Sequence, residues 1–197
     1  MIVFLNGPSS SGKTTLSRNL QKIWTRPLYY LSYDSVDEHI APFRHAQRPF
    51  SDPEKPGEAL DEVRDFLTVM TLTAAAIDRS GRDAVTDNCL FDTEDLYAET
   101  LRLTASCDTF WMRIDIDPDE LSRRERERGD RTIGKAAWQR AHLTPKEDAA
   151  YDLILDGAAP SEENARRILE AVRKRTSERG ITDGDEERHG GGCPARG

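Results

Sequence analysis

The chain is short of several things, and each shortage narrows what it can be. Three cysteines in 197 residues, Cys89, Cys107 and Cys193, are odd in number and form no CxxC pair. A disulfide framework and a cysteine-based zinc site are therefore not expected, and a reducing compartment fits. The four histidines, His39, His45, His142 and His189, stand at no metal-ligating spacing. No apolar run approaches the ~18 residues of a membrane span, and residues 1–6 are too short for a secretory leader. A cytoplasmic protein without membrane contact is expected. Positive charge is also short: 28 Lys and Arg against 36 Asp and Glu give a formal net charge of −8. A chain of that sign does not wrap nucleic acid, although a local basic cluster can still hold a small anion. With 37% hydrophobic and 32% charged residues, the length suits one domain with a sizeable core.

What is present alternates. Residues 2–5, all apolar, read as a strand buried on both faces and stopped at once by Asn6–Gly7–Pro8. Apolar residues at helical spacing predict a helix over 13–24. A second strand over 28–31 ends at Ser32–Tyr33–Asp34, and a short helix follows over 35–40. Four prolines between 41 and 57 predict a loop, long enough to be functional. Helix 58–80 then ends before Gly81, and strand 84–87, helix 93–103 and strand 109–116 follow. Asp117–Pro118–Asp119–Glu120 reads as a helix start, with Asp as cap and Pro first, and that helix stops at Gly129. A helix over 134–143, a fifth strand over 153–155 and a last helix capped by Ser161 and ending near Lys174 complete the order. The glycine-rich tail from Ser177 is expected to be disordered. Strands and helices in this alternation predict an α/β domain with a five-stranded parallel sheet flanked by helices on both faces.

Gly7–Pro8–Ser9–Ser10–Ser11–Gly12–Lys13–Thr14 satisfies G-x-x-x-x-G-K-[ST] between a predicted strand and a predicted helix. Glycines and small residues let the backbone curl so that its N–H groups point at phosphate oxygens, and the positive helix end adds to the attraction. Gly7, Ser9, Ser10, Ser11, Gly12, Lys13, Thr14 and Thr15 are the expected nucleotide-binding residues. The Lys13 ammonium suits the β- and γ-phosphates of ATP, and the Thr14 hydroxyl suits Mg²⁺. A bare glycine turn would demand neither Lys nor Thr.

Three further places decide the chemistry. Asp34, at the end of the second strand, is placed to take the proton of an attacking hydroxyl, and its competing role is to cap the helix beginning at Ser35. Asp87, at the end of the third strand, is placed to hold Mg²⁺ or its water shell; otherwise it is a polar strand terminus. In the run Arg123–Arg131 the residues Arg123, Arg124 and Arg126 read as a solvated helix face interleaved with Glu. Arg128 and Arg131 flank Gly129–Asp130, where the helix must end, and suit a clamp on the transferring phosphoryl group.

The chain resembles the chloramphenicol phosphotransferase family of P-loop kinases. The resemblance rests on Ile2–Val3–Phe4–Leu5–Asn6–Gly7 with Ser9–Ser10–Ser11–Gly12–Lys13, on Asp34–Ser35, on Asp87, on Arg128–Gly129–Asp130–Arg131 and on Tyr151–Asp152. It implies ATP-dependent phosphorylation of a hydroxyl group on an antibiotic, inactivating it, with Asp34 as base. On that reading residues 1–176 form the kinase domain, with an acceptor loop over 41–57 and an arginine lid over 123–134. Two other readings stay open: a metabolite kinase of the shikimate or gluconate type, and a nucleotide-dependent regulatory module without phosphoryl transfer. The oligomeric state is left open.

Overall fold

A computed structural model of the protein describes residues 1–32, 56–88, 94–128, 134, 136 and 151–179; of residues 56–63, 88, 94 and 95 it describes the backbone alone. The strands among the described residues are β1 (Ile2–Asn6), β2 (Leu28–Ser32), β3 (Asp83–Asn88), β4 (Thr109–Asp115) and β5 (Leu153–Asp156). The helices among the described residues are α1 (Lys13–Ile23), α2 (Pro56–Arg79), α3 (Glu94–Leu103), α4 (Pro118–Arg128) and α5 (Ser161–Glu178). The five strands make one sheet in the order β2-β3-β1-β4-β5, and every pairing is parallel. None of these helices is long and apolar enough to cross a membrane.

Alternation along β1 sorts the core into two layers. Val3 and Leu5 pack with Leu16 and Leu20 of α1 and with Ala165, Ile168 and Val172 of α5. Ile2 and Phe4 face the other way, onto Ala74 and Ala75 of α2 and onto Trp111. Phe4 and Trp111 stack with ring centroids 4.1 Å apart, and Tyr97 of α3 meets Trp111 edge-on at 5.5 Å. β1 is wholly buried because it is central and covered on both sides. Parallel order brings all five strand ends with their loops to one edge of the sheet, where ligands collect in such folds.

Local signals account for most boundaries. Asp117 caps α4, its Oδ1 accepting the N–H of Asp119 at 2.8 Å and of Glu120 at 3.4 Å. Two expectations need correction at helix ends. The proline-rich segment gives way to helix already at Pro56, because proline is accepted in a first helical turn, where no N–H is needed. The last helix runs to Glu178, not Lys174, so residues 177 and 178 are helical rather than tail. Its end is tied down: Arg175 and Arg179 each donate to Asp108 Oδ1 at 2.8 Å, and Arg175 also donates to the Thr109 carbonyl at 2.6 Å. Ser161 caps nothing; its Oγ accepts from Asn19 Nδ2 at 3.1 Å, joining α5 to α1. The helix expected over 35–40 and most of that over 134–143 lie outside the described residues, though Ala136 is helical.

Candidate active site

The segment between β1 and α1 is a phosphate loop in geometry as well as in sequence. Gly12, with φ of +94°, occupies the left-handed region, where a side chain is disfavoured, and Ser10 joins it at +63°. Gly7 needs its lack of a side chain for space: an added Cβ would stand 2.9 Å from Ser11 Oγ and 3.3 Å from Ile114 Cβ. Lys13 Nζ curls over the loop and donates to the carbonyls of Gly7 and Pro8, both at 2.7 Å. The hydroxyls of Ser10 and Ser11 are buried, with no hydrogen-bond partner among the described residues. Buried orphan hydroxyls beside a lysine and a helix N-terminus form a cradle suited to phosphate oxygens. Thr15, by contrast, is exposed on the first turn of α1.

Thr14 and Asp87, expected together from the sequence, meet. Thr14 Oγ1 donates to Asp87 Oδ2 at 3.3 Å. The register explains why: Asp87 lies beside Leu5 of β1, two positions before the loop begins, and only 6% of it is exposed. Tyr30 of β2 completes the group by donating to the same oxygen at 2.5 Å. Burial first, and then the Asp87 carboxylate, push the Tyr30 phenol up to about 12, so it stays protonated as a donor. A hydroxyl and a carboxylate oxygen side by side are the hard donors that Mg²⁺ takes, usually alongside water and phosphate. The residues present fit that ion.

The arginine run divides differently from its expectation. Arg123 is a surface residue, bound to Glu120 and Glu127. Hydrogen bonds from Arg123 and Arg124 hold the Glu120 carboxyl down to about 2. Arg124 makes the expected pair with Glu120 but is only partly exposed. Its Nη1 stands 4.0 Å from the point a Cβ on Gly12 would occupy, and Glu120 Oε1 fixes its Nε at 2.6 Å. One helical turn thus aims a guanidinium at the phosphate loop. Arg128 closes α4 and is exposed. Glu125, one turn before it, is buried and accepts the N–H groups of Gly134 and Ala136 at 2.7 and 2.8 Å, which joins the two sides of residues 129–133. Asp34 and Arg131 lie outside the described residues, as does nearly all of the proline-rich segment.

On the opposite sheet face, beside the same loop, sits a group that the sequence reading assigned no role. Asn6, 1% exposed, donates through Nδ2 to the Tyr151 hydroxyl at 3.0 Å. The Arg113 guanidinium lies over the Tyr151 ring, 5.6 Å from its centroid. Burial pushes the Tyr151 phenol up to about 12.

Comparison with known proteins agrees with this architecture. A protein of Mycobacterium tuberculosis that carries the provisional name O-phosphotransferase is 26% identical over 189 residues, spanning 86% of this chain and 81% of its own. Three solved structures share the fold at lower identity. A sugar kinase from Janibacter superposes with a TM-score of 0.64 at 19% identity, covering 87% of this chain and 94% of its own. The Mycobacterium tuberculosis APS kinase, solved with AMPPNP and APS, gives 0.64 at 17%, covering 87% and 96%. A gluconokinase from Sinorhizobium meliloti gives 0.66 at 15%, covering 92% and 96%. The family described as chloramphenicol phosphotransferase-like protein matches residues 1–173. With the phosphate loop, Asp34, Asp87 and α4 all inside that span, the chain belongs to the chloramphenicol phosphotransferase-like family.

Proposed function

We propose that this protein transfers the γ-phosphoryl group of ATP to a hydroxyl group of an antibiotic and so inactivates it. As a member of its family the chain is a phosphotransferase with an alcohol acceptor; the antibiotic and the residue roles are the proposal. The observation that carries it is the phosphate loop with Lys13 folded over its carbonyls and Asp87 joined to Thr14.

The loop N–H groups and Lys13 bind the β- and γ-phosphates, and Arg124 approaches them from α4. Thr14 and Asp87 would hold Mg²⁺, which would supply neutralisation of charge on the phosphate oxygens. Tyr30, kept protonated, holds the Asp87 carboxylate in place. Asp34 accepts the proton of the acceptor hydroxyl as its oxygen attacks the γ-phosphorus. The new P–O bond forms as the bond to the β-phosphate oxygen breaks, and ADP leaves. Arg128 and Arg131 gather the charge that spreads over the transferring group. A reaction supplied with ATP belongs in the cytoplasm.

The second reading is a metabolite kinase, which the fold shared with a sugar kinase and a gluconokinase supports. ADP release separates the two. It is measured with hydroxyl-bearing antibiotics, with gluconate and shikimate, and with no acceptor. Stimulation by an antibiotic is expected; stimulation by the acids alone would replace the proposal with the metabolite reading. Equal release in every case would leave a nucleotide-dependent module.

A further inference from the structure

Two buried polar atoms on the face of the sheet opposite α1 lack partners among the described residues. Asn6 Oδ1 can only accept a hydrogen bond, Arg113 Nε–H can only donate one, and neither has a partner among the described residues. The two residues are Cα partners in the β1–β4 register, so their side chains leave the same sheet face side by side. Neither atom is idle through looseness. The Asn6 amide is pinned by its bond to the Tyr151 hydroxyl, and that ring lies under the Arg113 guanidinium. The far end of Arg113 is drawn outward, with Nη2 4.0 Å from Asp115 Oδ2, which leaves Nε facing inward. Leaving a buried acceptor and a buried donor unmade is costly, so natural proteins retain such pairs where a water, an ion or a ligand group completes them.

Position narrows what that something is. Asn6 is the last residue of β1 and directly precedes Gly7, the first residue of the phosphate loop. Thr14, Tyr30 and Asp87 gather on the α1 side of the sheet, whereas Asn6, Tyr151 and Arg113 lie on the side of α2 and α3. The donor machinery occupies one side of the β1 end, and this group flanks it on the other. A ligand group that satisfies both atoms must itself donate to Oδ1 and accept from Nε–H. Hydroxyl and amide groups do both. A carboxylate or phosphoryl group only accepts, and it would set negative charge against the Asn6 carbonyl oxygen.

We infer that Asn6 and Arg113 form the acceptor subsite of this enzyme, holding a neutral hydroxyl or amide of the acceptor that is not the one phosphorylated, with Tyr151 as the positioning residue that orients Asn6. This rests on the phosphotransferase reading above and deepens it, since it favours a neutral polyfunctional antibiotic over an acid metabolite. Discrimination follows from pairing: a site built to bond a hydroxyl rejects an analogue lacking it, because its own buried atoms are then left bare.

The test compares ratios, which a structural role does not move. Wild type, Asn6→Leu and Arg113→Lys are assayed with ATP and the antibiotic that gains a phosphoryl group in a panel. Analogues of that compound lacking one non-reacting hydroxyl or amide at a time are run beside it, with gluconate and shikimate as carboxylate probes. In wild type one analogue should lose roughly tenfold or more in kcat/KM, mostly through KM. In both variants that preference should collapse towards unity. A preference retained in the variants, however slow they are, overturns the inference and leaves the phosphotransferase reading standing. So does faster turnover of the carboxylate probes than of the antibiotic. No transfer to any compound overturns the antibiotic reading and this inference with it. If Asn6→Leu fails to fold, the partly exposed Arg113 decides the matter alone.

Discussion

Replacing Arg124 separates a nucleotide contact from a charged helix surface. Its guanidinium stands 4.0 Å from the Cβ position over Gly12, and Glu120 holds it there through Nε. If the side chain served only the helix surface, Arg124→Met would move the melting temperature by about 2 °C or less in a chain of this size and leave nucleotide binding alone. A guanidinium that reaches a phosphate oxygen makes a charge-assisted bond worth about 1.5–3 kcal/mol. At about 1.4 kcal/mol per tenfold, its loss weakens ATP binding by roughly ten- to a hundredfold. The functional effect therefore exceeds the structural one by a wide margin. Calorimetric titration with ATP and Mg²⁺ reads the first quantity, and a thermal melt reads the second. Arg124→Lys should fall between wild type and Arg124→Met, since it keeps the charge and loses the fork. Exposed Arg126→Lys is the control. ATP affinity within twofold of wild type in Arg124→Met would refute the assignment.

Other perturbations test other links. Asp34→Asn should lower kcat by about 10²–10⁴ with ATP affinity unchanged, because an amide cannot accept the hydroxyl proton; a drop in melting temperature with kcat intact would make Asp34 a helix cap. Gly12→Ala should destabilise by about 1–2 kcal/mol through the left-handed backbone, a fall of about 2–8 °C in melting temperature, and an unchanged melt would contradict the loop geometry. Asp83 is 2% exposed; burial alone would raise its pKa, but hydrogen bonds from Arg26 and Trp24 outweigh it and hold the carboxyl below the ordinary range. A group depressed in this way contributes stability above its unfolded pKa and loses it as pH falls through the folded value. The melting-temperature gap between wild type and Asp83→Asn should therefore shrink below about pH 4, and a constant gap would count against the network.

What was legible in the sequence was local. The phosphate loop, the β1 run that feeds it and the Asp117 cap each lie within a few consecutive residues, and their local order alone places them. Asp87 was legible because a strand end in a parallel sheet faces the ligand edge. Tyr30 was not: a tyrosine inside a strand reads as core, and only the fold brings it to Asp87, 57 residues away. Asn6 and Tyr151 meet across 145 residues, which no spacing announces. The pairing of Arg124 with Glu120 was legible as an i,i+4 pair, but its approach to Gly12 was not, because a run of alternating Arg and Glu shows the helix period and not which face meets the loop. The last helix outran its expectation because Arg175 and Arg179 anchor it to Asp108, a contact made at long range.

The central claim is phosphoryl transfer at this loop, and mass spectrometry of the acceptor tests it most directly. Wild-type protein with ATP, Mg²⁺ and a panel of hydroxyl-bearing antibiotics should add one phosphoryl group to at least one compound. Lys13→Ala should add none, because the charge at the β- and γ-phosphates is gone. A panel left unchanged by wild type, or modified equally by Lys13→Ala, would contradict the account.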